Sequence, residues 1–340
     1  MVDQRLQIAL GVSAAIIVVL VLLGRVPLRY NVRNLAVRWR TTLLTALAFT
    51  LVVGLLTVML AFVRGMNVLT EQSGHGENVI VLSDGAIDEL MSNIGYGDSS
   101  DLERQAGVAR DANDRPLCSR ETFLVVNQPI AGAALGAPQR RFIQVRGIDD
   151  AAMAGRVHGL RLLPGGAWFS RSGVQPAQVT AASSASGELP TEQLIQAVVG
   201  EGMAAQWGSD RSQPPLKVGD VFELGSRRWI AVGIMASEGS TFGSEIWAKR
   251  SIVAPMFGKQ TYSSIVLKAH DAEAAKQLAG DLTTRFKKSA VQAQTETEYF
   301  AKLSETSRQF LAAIIFVAAV MALGGTFGVM NTMFAAIAGR

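Results

Sequence analysis

Residues 310–340, FLAAIIFVAAVMALGGTFGVMNTMFAAIAGR, carry no ionisable side chain between Arg308 and Arg340. A helix rises about 1.5 Å per residue, so a run of this length exceeds the roughly 30 Å hydrocarbon core of a bilayer. A helix that meets water keeps one polar face, and this run has none. It predicts a transmembrane span, and a span constrains everything before it, because each polar stretch must then lie on a definite side of a membrane.

Two more charge-free runs precede it. Residues 6–24 lie between Arg5 and Arg25, and residues 41–63 between Arg40 and Arg64. The first could be a secretory signal, but no small-x-small cleavage site follows and the next residues, GRVPLRYNVR, are strongly basic. A retained span is the better reading. Between the two runs, residues 25–40 hold Arg25, Arg29, Arg33, Arg38 and Arg40 and no acid. Leu28, Val32, Leu35, Ala36 and Trp39 recur at helical spacing, with Arg29, Arg33 and Arg40 on the adjoining polar side. Such a basic amphipathic helix lies in the membrane interface, with arginines toward anionic headgroups and Trp39 at the acyl boundary. A plain connector whose charges only fix topology is the alternative. The positive-inside rule places this loop in the cytoplasm, and residues 65–308 outside the cell membrane.

Composition agrees with a mixed membrane and aqueous chain: 49% hydrophobic and 18% charged residues, with a net charge of +4. Much of the basic excess sits beside the spans, so it does not signal nucleic-acid binding. Cys118 is the single cysteine, which excludes an intrachain disulfide. His75, His158 and His270 are far apart, without the paired spacing of a zinc or iron site, and read as surface or partly buried histidines.

The exoplasmic segment begins with a strand at residues 78–82 (NVIVL). Ser100-x-x-Glu103 has the form of a capping box opening a short helix, DLERQAG, that ends at Gly107. A strand follows at residues 121–127. The far end repeats the order: a strand at 263–268, a helix capped by Asp271 with Ala275, Leu278, Ala279, Leu282 and Phe286 on its apolar face, and a strand at 290–294. Two strand–helix–strand units predict one α+β frame closed around an insertion at about 138–255. The insertion reads as β-rich: short apolar segments at 141–145 and 194–199, then a hairpin of 218–224 and 227–234 around Gly225-Ser226. Residues 170–190 are rich in Ser, Ala and Gly and read as a loop. Residues 296–309, ETEYFAKLSETSRQ, are amphipathic with no breaker before the last span, and predict a helical stalk continuing out of the membrane.

No catalytic constellation emerges. The pattern G-x-x-x-x-G-K-[ST] is missing, since Gly258-Lys259-Gln260-Thr261 lacks the upstream glycine, and neither G-x-S-x-G nor H-E-x-x-H occurs. Asp149-Asp150 reads as a turn pair, and Arg227-Arg228 beside Trp229 as exposed hairpin charges. No acid lies within the spans, which argues against a proton relay. Gly324-x-x-x-Gly328 is a small-residue face that lets a second helix approach closely, either another span of this chain or a second copy.

These pieces together resemble the permease subunits of MacB/FtsX-type ABC transporters. NVRNLAVRWRTTLLTALAFT resembles the family's entry helix and first core span. LLPGGAWFS, AVVGEGMAAQWG, LKVGDVFELGSRRWIAVGIM and SEGSTFGSEIW resemble its periplasmic domain, and GVMNTMFAAIAGR the start of its second core span. The resemblance covers residues 31–340; the span at 6–24 is an addition, and the family's coupling segment and last two spans do not follow Arg340. It implies an inner-membrane, multi-pass α-helical protein with a large α+β exoplasmic domain. It also implies dimerisation with itself or a second permease subunit, and a separate cytoplasmic ATPase that binds the ATP. No cofactor is implied for this chain. A periplasmic partner protein is possible in such an architecture. The rival reading is a membrane-anchored exoplasmic sensor or adaptor that works without an ATPase.

Overall fold

The computed structural model describes residues 39–130, 138–177, 193–237, 239–284 and 290–338, with positions 33, 37 and 136. Several side chains inside the two long helices lie outside this set. The chain divides into two units, one formed by Met1–Ala61 with Leu311–Arg340 and the other by Phe62–Phe310.

Helix α1 (Trp39–Ser73) and the last helix, Glu296–Ala338, are each unbroken. Their portions in the first unit expose large apolar side chains, among them Leu43, Leu51, Val53, Val58, Phe316 and Val320. Among the described residues, no helix is long and apolar enough to cross a membrane. The expected spans at 6–24 and much of the interfacial helix at 25–40 lie outside the described residues.

The second unit is built on β1 (Asn78–Ser83), α2 (Tyr96–Leu102), β2 (Cys118–Pro129), β3 (Arg140–Ile148), α3 (Ala151–Val157), β4 (Val174–Pro176), β5 (Gln193–Gly200) and α4 (Glu201–Ser209). Then follow β6 (Val221–Leu224), β7 (Arg227–Met235), β8 (Glu245–Lys249), α5 (Arg250–Met256), β9 (Ser264–Lys268), α6 (Ala272–Thr284), β10 (Val291–Thr295) and α7 (Glu296–Ala338). The strands form one sheet in the order β10-β1-β9-β2-β3-β8-β5-β7-β6, with β4 paired to β5. The α+β frame is present as its first four strands. The insertion is not a separate module, because its strands continue the same sheet through the antiparallel β2–β3 pair and the parallel β3–β8 pair. It also contains three short helices, α3, α4 and α5, that a purely β-rich reading misses.

β1 is apolar at consecutive positions because both its faces are covered. Val79 and Val81 pack under Leu278 and Leu282 of α6, while Ile80 and Leu82 pack with Val157 and Tyr299. Asp271 caps α6 as expected, its Oδ1 accepting from Ala274 N–H at 2.8 Å; Phe286 lies outside the described residues. The expected helix after Ser100 is misplaced. α2 spans Tyr96–Leu102, and Glu103 is its C-cap, with its N–H bonded to the Ser99 carbonyl. The hairpin is where the sequence puts it, with Gly225 and Ser226 at φ of 60° and 63° as a two-residue turn of this hand requires.

Candidate functional site

The polar centre of the second unit is a chain of buried ions running from the sheet to the first residue of α7. Arg146 on β3 is 4% exposed. Its Nε and Nη2 donate to Glu245 Oε2 and Oε1 at 2.7 and 2.8 Å, a bidentate pair. Nη1 donates to Glu89 Oε1 at 2.6 Å and to Glu121 Oε2 at 2.5 Å. The guanidinium also lies 5.0 Å from the Phe123 ring centre and 5.5 Å from that of Phe242. Strand pairing explains the meeting: β3 has β2 on one side, carrying Glu121, and β8 on the other, carrying Glu245.

The chain continues through Glu121. Its Oε1 lies 2.6 Å from His158 Nε2 and accepts from Ser119 Oγ at 2.5 Å. On the far side of the ring, His158 Nδ1 is 3.4 Å from Glu296 Oε1, within ion-pair range but not aligned for a hydrogen bond. Glu296 Oε2 accepts from His75 N–H at 2.9 Å and from Asn78 Nδ2 at 3.0 Å. Asn78 Nδ2 also donates to Val157 O, and His75 Nε2 is 2.9 Å from His158 O. One carboxylate at the start of α7 therefore joins the segment just after α1, the first strand and the end of α3. Chain ends approach closely here: a Cβ on Gly74 would lie 3.2 Å from the Glu296 backbone. Thr241 N–H also donates to Ser73 Oγ at 2.8 Å, bringing the insertion to the last residue of α1.

Burial penalises the charged form of every member, but here the charges compensate one another. Burial alone would lower the His158 pKa, yet the Glu121 and Glu296 carboxylates outweigh it and push it up to about 10. Burial likewise opposes ionisation of Glu121, and the His158 and Arg146 cations overcome it, holding the carboxyl well below its usual range. For Arg146, burial is outweighed by Glu245, Glu89 and Glu121, so its pKa is raised. Both carboxylate oxygens of Glu89, Glu121 and Glu245 accept from neighbours, and Glu296 accepts through Oε2, which suits holding elements in register more than attacking a substrate. Among the described residues, no group of three or more His, Cys, Asp or Glu is placed to hold a metal ion.

The residues named from sequence lie elsewhere. Arg33, Trp39 and Arg40 are exposed on helical turns, with the Arg40 guanidinium 5.6 Å from the Trp39 ring centre; Arg29 lies outside the described residues. Gly324 is exposed, and a Cβ there would have no described atom within 4 Å. The side-chain surroundings of Gly328 are outside the described set. Asp150 is a helix cap, accepting from Met153 N–H at 3.0 Å, and Asp149 accepts from Arg250 and Tyr262. His158 corrects the sequence reading, since it is neither on the surface nor partly exposed but fully inside an ionic chain. The members of that chain were missed because Glu121, Arg146 and Glu245 sit in apolar strands at positions that look like a solvent face.

Residues 42–285 match the family model of the MacB-like periplasmic core domain. The chain belongs to that family. It is thus a MacB/FtsX-like ABC transporter permease component, and the mixed sheet described above is its periplasmic core domain. Among solved structures this MacB-like chain is similar to the extracellular domain of the noncanonic ABC-type transporter YknZ from Gram-positive bacteria. The identity is 14% and the TM-score 0.41, over 64% of this chain and 100% of that one. It is also similar to the periplasmic region of MacB from Actinobacillus actinomycetemcomitans, at 13% identity and a TM-score of 0.41, over 69% of this chain and 95% of that one. No curated protein matches the MacB-like chain.

Proposed function

We propose that this permease component converts ATP hydrolysis by a separate cytoplasmic ATPase into movement of its exoplasmic domain. The apolar runs at 41–63 and 310–340, which include side chains outside the described residues, cross the membrane in this reading. The exposed leucines, valines and phenylalanines of α1 and α7 face lipid. The observation that carries the reading is the Glu296 junction. The segments that enter and leave the exoplasmic domain meet at one buried carboxylate, so a displacement of α7 along its axis pulls on His158, Asn78 and His75 together. Gly324 of α7, where a Cβ would have no described atom within 4 Å, is in this reading a contact for a second permease copy.

The test is purification of the full-length chain in detergent from its native membrane. A P-loop ATPase should co-purify, and its hydrolysis rate should change when Glu296→Gln is introduced while the complex stays assembled. Repeated purification without any such ATPase would sink the reading and favour the sensor or adaptor without an ATPase.

A further inference from the structure

The sheet ends at β6, a strand with β7 on one side and, among the described residues, no strand on the other. Its outer edge is short, four residues, and unpaired among the described residues. Ala231 N–H donates to the Asp220 carbonyl at 3.0 Å, so that carbonyl points at β7 and the N–H of Val221, on the same peptide plane, points away from the sheet. β2 is open in the same way. β9 pairs only with Cys118–Glu121, leaving the distal half of β2 with β3 alone. The sheet curls until these edges approach, and Gly225 N–H donates to Gln128 Oε1 at 3.0 Å. Between them lies a groove of about 610 Å³ lined by Gln128, Pro129, Trp207, Pro214, Pro215 and Phe222, with Arg211 at its wall.

Arg211 lacks a carboxylate of its own among the described residues. It lies 4.2 Å over the Trp207 ring and donates to the Trp207 carbonyl. Burial there lowers its pKa, so the charge is held at a loss. Of the nearby acids, Asp210 is gripped by Arg141 at 2.6 and 2.5 Å; Asp220 and Glu223 line the groove beside Lys217, with Asp220 capping the Lys217 N–H at 2.8 Å and Glu223 the cross-strand neighbour of Arg228. The groove thus offers an aromatic floor, an outward backbone donor and a cation that Asp210 offsets only in part.

We propose that this groove receives an extended peptide segment of a partner protein, added as a strand to the free edge of β6 with a carboxylate side chain placed on Arg211. Strand addition supplies main-chain hydrogen bonds, and the Trp207–Phe222 floor and Arg211 select side chains on alternate residues. A partner fits better than a second copy, because a second β6 brings only one acid, Glu223, on the strand that already has Arg228 as its cross-strand neighbour. The inference is independent of ATPase coupling, and its assay contains neither nucleotide nor ATPase.

The probe is a fluorescein-labelled peptide, acetyl-Thr-Val-Glu-Val-Thr-amide, titrated by anisotropy against the full chain in detergent. Analogues carry Lys for Glu, or Pro for the second Val. The acidic peptide should bind about ten-fold or more tightly than the Lys analogue, and the Pro analogue should not bind. Arg211→Gln should erase the acid preference, and Val221→Pro should remove binding of both. If Arg211→Gln does not fold, salt titration of the unaltered chain replaces it: the preference must fall as salt rises. Equal affinity for acidic and basic peptides, or binding untouched by Val221→Pro, overturns the proposal. So does concentration-dependent self-association of the chain that Val221→Pro abolishes, which would assign the edge to a second copy.

Discussion

Arg146→Met removes the one cation shared by Glu89, Glu121 and Glu245 and leaves a side chain of similar length in the cavity. Breaking a buried ion pair from one side costs about 3–5 kcal/mol, because the surviving charge stays buried without compensation. Three carboxylates lose their partner at once, and only Glu121 retains a second cation, His158. A domain such as Phe62–Phe310 shifts its melting temperature by about 2–4 °C per kcal/mol, so the expected fall is about 6–20 °C. Buried Trp229 and Trp247 provide the near-ultraviolet signal for thermal unfolding of the full chain in detergent. Adding Glu89→Gln and Glu245→Gln to Arg146→Met should recover about half of the loss or more, since the stranded charges go with their partner. A fall of less than about 2 °C would refute the account of a shared buried cation.

The His158–Glu121 pair sets opposite limits on stability. His158 is raised in the fold from 6.5 to about 10, so its contribution is whole below about pH 6.5 and is lost as pH climbs through 10; His158→Gln should flatten that alkaline limb in denaturant titrations. Glu121 is depressed, so its contribution is whole above its ordinary value of 4.5 and fades as pH falls below that; Glu121→Gln should flatten the acid limb. Glu296→Ala removes a charged acceptor from the His75 amide, and hydrogen exchange at that amide should accelerate by about ten-fold or more; an unchanged rate would detach Glu296 from the junction. In the β6–β7 turn, Ser226 holds φ of 63°, so Ser226→Gly should stabilise by about 1 kcal/mol, whereas Gly225→Ala should destabilise by bringing a Cβ to 2.8 Å from the Phe257 ring.

The frame was legible because its signals are local. NVIVL, the Asp271 cap and the Gly225-Ser226 turn each follow from short-range sterics and hydrogen bonding, and each lies where expected. The capping box at Ser100 misled because the pattern occurs inside α2, whose N-cap is Gly95 with no side-chain cap bond. The site was illegible for a different reason. Arg146 alternates with Ile143 and Val145 in the same way that a solvent-facing arginine would, and the cover supplied from distant segments by Glu89 and Phe242 makes that face an interior one. His158 and Glu296 meet across 138 positions of sequence (296 − 158). No periodicity encodes such a meeting.

An ionic junction is an expensive way to hold a domain together, since apolar residues of the same volume often hold it as well or better. Its advantage is discrimination between positions. Apolar contacts tolerate a slip of an ångström, whereas Glu296 satisfies His75 and Asn78 at 2.9 and 3.0 Å in one placement of the α7 start. His158 makes the junction asymmetric: its Nε2 is bound to Glu121 at 2.6 Å, while Nδ1 reaches Glu296 only at 3.4 Å. The Glu121 side is thus the more tightly bound half. A small shift of α7 toward the ring would convert the 3.4 Å approach into a hydrogen bond, and a small shift away would leave a buried imidazolium half paired. Two arrangements of unequal pairing around one histidine would serve the coupling proposed above. Under the proposed coupling, engineered cross-linking of the α7 start to the segment at His75 abolishes the change in the partner's ATPase rate without lowering the melting temperature, and an unchanged rate would refute a role for this junction.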